Sequence, residues 1–271
     1  MKHILFGVPV DDFSTEELKN LLILWLRTNT AKIITTPNPE FILLANKQPA
    51  FKQLLVDSDL SVADGVGLRF AISALTQGYL KHRQTGVDLV ELLCRLAHQE
   101  HKSVLFLGGE PQMAERAKNS LQTQFPDLLI EAVDPGVLVG NASHVEIPKE
   151  LIETIRAISP DVLMVGLGQG KQERFMNEMK SMVPSIKILI GVGGSFETIA
   201  GIKPRAPERF RKSGFEWLWR LWIEPKRFHR IFQASLVFPT VVLFATLKQK
   251  SFLKALKRTI PEIWKQLTNK S

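Results

Sequence analysis

The chain has 271 residues, of which 45% are hydrophobic, so it can bury one substantial core, and disorder of the whole chain is excluded. Its one cysteine, Cys94, excludes an intramolecular disulfide, and its apolar periodic surroundings predict a buried side chain rather than a ligand or nucleophile. The formal charge of +8 is uneven, because residues 203–271 hold 16 of the 35 Lys and Arg but only 4 of the 27 Asp and Glu.

The basic segment 203–271 also holds four of the five tryptophans. Cations interleaved with aromatic side chains are typical of proteins that bind anionic membranes and of proteins that bind nucleic acid, so composition leaves both open. We predict a body over residues 1–202 and a basic appendage over 203–271. The first ten residues lack the pattern of a signal peptide, and together with the single cysteine this favours the cytoplasm.

In chain order, short apolar runs rich in β-branched residues alternate with longer helical patterns. Strands are predicted over 4–10, 32–36, 60–63, 103–107, 128–133, 161–167 and 187–192. Helices are predicted from Ser14, which forms a capping box with Glu17, to about Arg27, and over 86–100, 111–124, 148–158 and 172–182. The alternation predicts an α/β fold with a Rossmann-like, mostly parallel sheet flanked by helices.

Glycine-rich or polar turns follow many of these strands, at 36–40, 63–67, 108–109, 166–168 and 191–194. The carboxyl ends of parallel strands meet at one edge of a sheet, where helix amino termini can hold phosphate, so the ligand site is predicted there. No turn forms a GxGxxG fingerprint or a Walker pattern, which disfavours a nicotinamide enzyme, an epimerase and a P-loop ATPase. The six histidines show no zinc-ligand spacing, and we predict neither a metal site nor a cofactor.

The turns also occur in a characteristic order along the chain. The segments are Gly7–Asp11, Thr36–Glu40, Ala63–Gly67, Arg83–Asp88, Leu107–Gly109, Gly166–Gly168, Lys171–Glu173, Gly191–Phe196, Gly201, Arg205–Pro207, Glu216-Trp217, Arg220-Leu221 and Glu224-Pro225. Together they resemble the WecG/TagA/CpsF glycosyltransferase family across residues 3 to 230. Two positions depart from the family pattern, Gly170 where proline is usual and Glu197 where aspartate is common.

The resemblance implies inverting, metal-independent transfer from a UDP-sugar. The sugar would be a hexose or an N-acetylmannosamine-type unit, and the acceptor an undecaprenyl-diphosphate-linked sugar in the synthesis of teichoic acid or another cell-surface polysaccharide.

Inverting transfer needs a base that takes the proton of the acceptor hydroxyl, and carboxylates commonly fill that role. Asp64 is our candidate, because it follows a strand and precedes a Gly65 turn through which substrate can approach closely. The alternative is that Asp64 caps the following helix. Thr36 and Asn38 are predicted to orient the donor sugar or the acceptor hydroxyl.

The departing UDP carries at least two negative charges and needs cations and backbone N–H groups. Arg83 is the candidate from the body, and the appendage offers further arginines, although a lone arginine is more often a solvated surface charge. Gln172 and Glu173 are predicted to read uracil or ribose, with a helix-capping role as the alternative. The predicted substrate-binding residues are Arg83, Gly65, Gly108, Gly109, Gln172, Glu173, Gly193, Arg205, Arg211, Arg220 and Arg227.

Residues 215–232 combine helical apolar spacing with Arg and Lys, a pattern typical of helices that lie on anionic lipid. The apolar run 234–247 that follows has 14 residues, fewer than the roughly 20 that cross a bilayer. We therefore predict surface attachment to the inner face of the cytoplasmic membrane, the alternative being a helix packed on the body or on another subunit. Deletion of 203–271 is expected to abolish turnover and leave a folded body.

The predicted partners are thus a UDP-sugar, a polyprenyl-diphosphate-linked sugar and an anionic membrane, with a homo-oligomer as a further possibility and no nucleic acid. The competing function is a nucleic-acid-binding module that uses the basic appendage, which would show strongly salt-dependent binding. A catalytically idle protein that keeps the fold is a further alternative.

Overall fold

A computed structural model describes residues 1–268 of the chain and shows a parallel sheet with helices on both faces. The strands are β1 Lys2–Leu5, β2 Val8–Asp11, β3 Lys32–Thr35, β4 Leu60–Ser61, β5 Val104–Gly108, β6 Ile130–Val133, β7 Val162–Gly166 and β8 Ile188–Gly191. Six of them form one sheet in the order β4-β3-β8-β7-β5-β6, and every neighbouring pair is parallel. The predicted fold class is therefore confirmed.

The segment predicted as one strand over 4–10 is instead an antiparallel hairpin of β1 and β2, so that prediction is wrong. Phe6 and Gly7 form its turn with φ of 51° and 81°, left-handed values that glycine adopts without strain. The hairpin stays beside the main sheet, because Asp11 forms a parallel bridge with Val62 and accepts a hydrogen bond from the Ser61 N–H at 3.0 Å.

The helices agree with the predictions where a cap or an amphipathic pattern marked them. They are α1 Thr15–Leu26, α2 Pro39–Lys47, α3 Pro49–Val56, α4 Val66–Leu75, α5 Gly86–Gln99, α6 Met113–Gln124, α7 Lys149–Ile158, α8 Lys171–Met182, α9 Ser195–Ile199, α10 Glu208–Ser213, α11 Glu216–Ile223, α12 Phe228–Phe232, α13 Phe238–Lys248 and α14 Phe252–Thr268. The predicted capping box forms, since the Glu17 N–H donates to Ser14 Oγ at 3.2 Å. Helices α2, α3 and α4 were not predicted, although Pro39 and Pro49 stand at helix starts.

The core lies on both faces of the sheet, because successive residues of a strand point in opposite directions. Val104 and Phe106 of β5 pack on one side in a cluster with α1, α5, α6 and α9. Leu105 and Leu107 pack on the other side with α7 and α8. A third cluster joins the hairpin to α2, α3, α4 and α13, so the appendage shares a core with the body.

A nearly continuous helical run, Pro225–Lys248, leads through a 3-10 turn, α12 and a π-helical segment Gln233–Val237 into α13. Pro239 lacks the N–H that would bond one turn back, and the wider π turn directly precedes it. The run has 24 residues, and an 18-residue stretch within it has a mean hydropathy of 1.6, so the helix is long and apolar enough to cross a membrane, a test that helices of soluble proteins also pass. The predicted 14-residue run is therefore part of a longer helix.

One face of the appendage packs on the body, as the alternative interpretation proposed. Phe238 of α13 is 1% exposed and its ring lies against Gly67. Helix α14 packs along α4, where Arg69 forms an ion pair with Glu262 at 2.9 Å. The other face exposes large apolar side chains, including Trp222, Phe244 and Trp264. Residues 269–271 of the predicted appendage lie outside the described residues, and the division at 202/203 stays a prediction.

Candidate active site

A cavity of about 120 Å³ lies at the carboxyl ends of β3, β4, β7 and β8, where the sequence placed the ligand site. Its lining includes the predicted residues Thr36, Asn38, Asp64, Gln172, Gly193, Arg220 and Arg227. An adjoining pocket of about 320 Å³ shares Asn38, Asp64, Arg220 and Arg227 with it and adds Gly65 and Arg83. The structure therefore brings the candidate base together with Thr36, Asn38 and Arg83, as predicted.

A backbone hydrogen bond positions Asp64, and its side chain lines the cavity. Its N–H donates to the Pro37 carbonyl at 2.8 Å, which ties the loop after β4 to the loop after β3. Helix α4 begins at Val66 after its N-cap residue Gly65, whose φ is 102°, and the helix has no side-chain cap. Within residues 1–268 the Asp64 carboxylate accepts no hydrogen bond, so the capping alternative is not what the structure shows.

The surroundings of Asp64 tune its acidity. Burial desolvates the carboxylate and raises its pKa from 3.8 to about 6, opposed by the positive charges of Arg220 and Arg83 and reinforced by Glu216. The side chain is half-buried, so it contacts both the protein interior and the cavity. A carboxylate with this pKa is mostly ionised at neutral pH and is a stronger base than an ordinary aspartate, which suits proton abstraction.

Thr36 and Asn38 are positioned by contacts with neighbouring loops. Thr36 Oγ1 donates to the Gly191 carbonyl at 3.3 Å, across the boundary between β3 and β8. Asn38 Oδ1 accepts from the Phe41 N–H at 3.0 Å and caps α2. Among residues 1–268 the Asn38 amide NH₂ donates to no protein group, which makes it available to a ligand.

Three appendage arginines surround the cavity: Arg220, Arg227 and Arg230. Arg220 pairs with Glu216 at 2.9 Å, Arg227 with Glu224 at 2.7 Å and Arg230 with Glu40 at 2.8 Å. Arg230 was not among the predicted binding residues. Its spacing of three from Arg227 on a helical pattern is the signal that could have found it, because such residues share a helix face.

Other predicted residues lie outside this cavity. Arg205 pairs with Asp88 of α5 and lies 3.8 Å from Glu91, so it fastens the start of the appendage to the body. Arg211 Nε donates to the Ala206 carbonyl at 3.0 Å, and the side chain lines a different cavity.

The Gly108 and Gly109 turn follows β5, farther along the sheet than the cavity strands. There the Gly109 N–H donates to the Gly166 carbonyl at 2.9 Å, and the glycines stand close to Leu167 and Phe196.

Of the two roles that the sequence left open for Gln172 and Glu173, the structure shows helix capping, by Glu173. Glu173 is buried, and its Oε2 accepts from the Gly170 N–H at 2.6 Å, which is the capping role. Its Oε1 accepts from Gln172 Nε2 at 2.7 Å, while Gln172 Oε1 accepts from the Gly193 N–H at 3.2 Å. Burial raises the pKa of Glu173 from 4.5 to about 7, although both hydrogen bonds favour the ionised form. Gln172 lines the cavity, and Glu173 orients it.

Comparison with known proteins adds two findings. The model of a family described as "Glycosyl transferase WecG/TagA/CpsF family" matches residues 3–252. A protein of Staphylococcus aureus strain MRSA252, named N-acetylglucosaminyldiphosphoundecaprenol N-acetyl-beta-D-mannosaminyltransferase, is 31% identical over 230 residues, covering 84% of this chain and 87% of its own length. A protein of the same name from strain NCTC 8325 / PS 47 is 30% identical with the same coverage.

Proposed function

This chain belongs to the WecG/TagA/CpsF family of glycosyltransferases, and from that premise we propose that it transfers an N-acetylmannosamine-type sugar from a UDP-sugar to an undecaprenyl-diphosphate-linked N-acetylglucosamine. The acceptor and the sugar follow the names of its relatives, and the cavity supports the proposal through the chemistry of its residues. The observation that carries it is Asp64, whose carboxylate accepts no hydrogen bond from residues 1–268 and lies in a cavity lined by three arginines.

In the proposed reaction, Asp64 accepts the proton of the acceptor hydroxyl as that oxygen attacks the anomeric carbon. A new glycosidic bond forms while the bond between the anomeric carbon and the diphosphate oxygen breaks, and attack from the opposite face inverts the configuration. The electron pair leaves with UDP and the proton stays on Asp64. The Asn38 amide and the Thr36 hydroxyl are near enough to orient the reacting sugars.

The leaving diphosphate gains negative charge as the bond breaks, so groups that stabilise it act mainly in the transition state. Arg220, Arg227 and Arg230 supply positive charge at the cavity, although each already pairs with a glutamate. Those pairs hold the guanidinium groups in place before substrate arrives. Arg83, which lines the adjoining pocket, adds a fourth cation from the body.

The test is a transfer assay with UDP-N-acetylmannosamine and undecaprenyl-diphosphate-linked N-acetylglucosamine, read by mass spectrometry. We expect a product heavier by one N-acetylhexosamine residue and its loss in Asp64→Asn. The matched control is Asp127→Asn, which removes an exposed carboxylate from the loop before β6. Transfer at the wild-type rate by Asp64→Asn would exclude Asp64 as the base, and the absence of product from any UDP-sugar would exclude the reaction.

The appendage supports a further part of the proposal, attachment to the inner face of the cytoplasmic membrane. Trp222 and Phe228 of the apolar surface are exposed beside Lys226, so aromatic groups and cations are presented together. Flotation with anionic vesicles tests this part. The nucleic-acid alternative has less support, since three of the seven appendage arginines line a cavity of about 120 Å³ at the candidate active site.

A further inference from the structure

A second cavity, of about 460 Å³, lies beside the candidate active site. We call it the basic cleft. The loop 80–83, helix α10 and helix α14 form its walls. Gly65 and Arg83 line both the basic cleft and the pocket that contains Asp64, so the two spaces adjoin.

The basic cleft has the charge of an anion site. Six of its twelve lining residues are Lys or Arg, namely Arg69, Lys81, Arg83, Arg211, Lys212 and Lys265, and one, Glu208, is acidic. Several of these cations pair with carboxylates, as Lys212 does with Glu208 at 2.7 Å. Within residues 1–268, Lys81 and Arg211 have no carboxylate within 4.0 Å, so part of the positive charge is uncompensated.

The cleft is held in shape by contacts that do not need a ligand. Asp12 accepts hydrogen bonds from the Lys81 N–H at 3.1 Å and the His82 N–H at 2.9 Å, which fixes the loop. On the opposite wall, Arg69 pairs with Glu262, and Gln266 donates to the Lys212 carbonyl. Helix α14 lies almost wholly beyond residues 3–252, the part that the family model matches.

Next to the cleft, on the side away from Asp64, is a larger and more apolar cavity of about 780 Å³. Tyr79, Leu80 and Pro261 line it, and it shares Arg69, Lys81 and Lys265 with the basic cleft. On helix α14, which lines both spaces, Ile260 and Trp264 are exposed. The order in space is therefore carboxylate, cationic cleft and apolar cavity.

That order matches a sugar joined through a diphosphate to a polyprenyl chain. We propose that the basic cleft binds the diphosphate of the lipid-linked acceptor and that the apolar cavity takes its first prenyl units, which leaves the sugar beside Asp64. The proposal rests on the proposed function and adds the site of the acceptor to it. The donor then occupies the arginine-lined cavity on the other side of Asp64, so the two diphosphates have separate cationic sites.

The test uses Lys81→Gln/Lys265→Gln, which removes two charges from the cleft. The control Lys254→Gln/Lys257→Gln removes two charges from exposed positions of α14 that line neither cavity. With the full chain in non-ionic detergent, we expect the cleft variant to raise the acceptor KM about tenfold or more, because hydrogen bonds to charged groups are among the stronger ones. The KM for the UDP-sugar should change less than twofold.

An acceptor without the diphosphate, an alkyl glycoside of N-acetylglucosamine, should show the same KM with the wild type and the cleft variant. Binding of undecaprenyl diphosphate, followed by tryptophan fluorescence, needs no turnover and should weaken about tenfold in the cleft variant only. Unchanged binding in that variant, or equal weakening in the control, would overturn the cleft assignment. A wild type that binds the lipid but transfers no sugar would instead count against the proposed function.

Discussion

Arg83 donates a hydrogen bond from Nη2 to the main-chain carbonyl of Arg211, 3.2 Å away in space and 128 residues later in the chain. Arg83 also lies 3.7 Å from Glu216, which in turn pairs with Arg220 at 2.9 Å. These contacts join the loop before α5 to helix α11 and fix Arg220 beside Asp64. The appendage therefore supplies part of the site that the sheet alone would leave open.

Arg220→Gln should lower kcat/KM about 100-fold, because one preorganised cation is lost from the leaving diphosphate. The protein should remain folded, since the Arg220 side chain is 44% exposed and its ion pair within residues 1–268 is with Glu216 of the same helix. Steady-state transfer assays measure the effect, and Arg209→Gln, an exposed arginine on α10, is the control. Equal activity of the two variants would exclude a role for Arg220.

The pH dependence of kcat/KM should show an acid limb near pH 6. Burial raises the pKa of Asp64 to about 6, so the carboxylate accepts protons from solution below that pH and can no longer act as the base. Burial also raises the pKa of Glu173, to about 7, so Glu173→Gln must be measured beside the wild type. We expect Glu173→Gln to keep the acid limb. If the limb disappears in that variant, it belongs to Glu173 and not to Asp64.

Asp64→Asn should stabilise the folded protein at neutral pH while it abolishes transfer. The pKa of Asp64 is raised from 3.8 to about 6 in the folded state, so the fold loses stability as the pH rises between these two values, and the full penalty persists at higher pH. The gain should be about 1 to 2 kcal/mol, less than the full shift implies, because the side chain is partly exposed. Thermal unfolding at pH 7.5 should show the gain, and at pH 4 it should vanish. A lower Tm for the variant at pH 7.5 would contradict this account.

Glu173→Gln should raise the KM for the UDP-sugar about tenfold. The new amide would set an NH₂ group against either the Gly170 N–H or the Gln172 amide, and Gln172 would then release the Gly193 N–H. Glu178→Gln, on the surface of the same helix, provides the comparison. If donor KM is the same in both variants, the hydrogen-bond chain does not position the donor.

Trp222→Ser/Phe244→Ser should weaken binding to anionic vesicles at least tenfold, since each large side chain contributes roughly 1.5 to 3 kcal/mol when it leaves water. The two side chains are 77% and 66% exposed, so their loss should leave the fold intact. Leu129→Ser removes an equally exposed apolar side chain, 69%, from the loop before β6 in the body. Flotation at low and high salt measures the effect, and equal loss of binding by Leu129→Ser would contradict attachment through the appendage.

Much of the fold was predictable because local sequence patterns specify most of its strands and helices. The β-branched runs and the Ser14 cap fixed strands and helices to within a few residues, and the rule that parallel strands end at one edge brought Thr36, Asn38 and Asp64 together. The hairpin of β1 and β2 was missed, because a run such as 4–10 has no local mark that separates one strand from two around a tight turn. The short helices α2 to α4 were missed for a related reason, since they lack a long amphipathic pattern.

The sequence by itself determined the sheet, the edge on which the candidate site lies and the candidate carboxylate there, because these depend on periodicity and on the order of turns. Only the tertiary structure decided that Arg230 reaches the cavity while Arg205 pairs with Asp88, and that α14 closes a second cationic space against α4. Those choices depend on contacts between segments more than a hundred residues apart. Their energies come from packing and desolvation, which no local pattern of residues encodes.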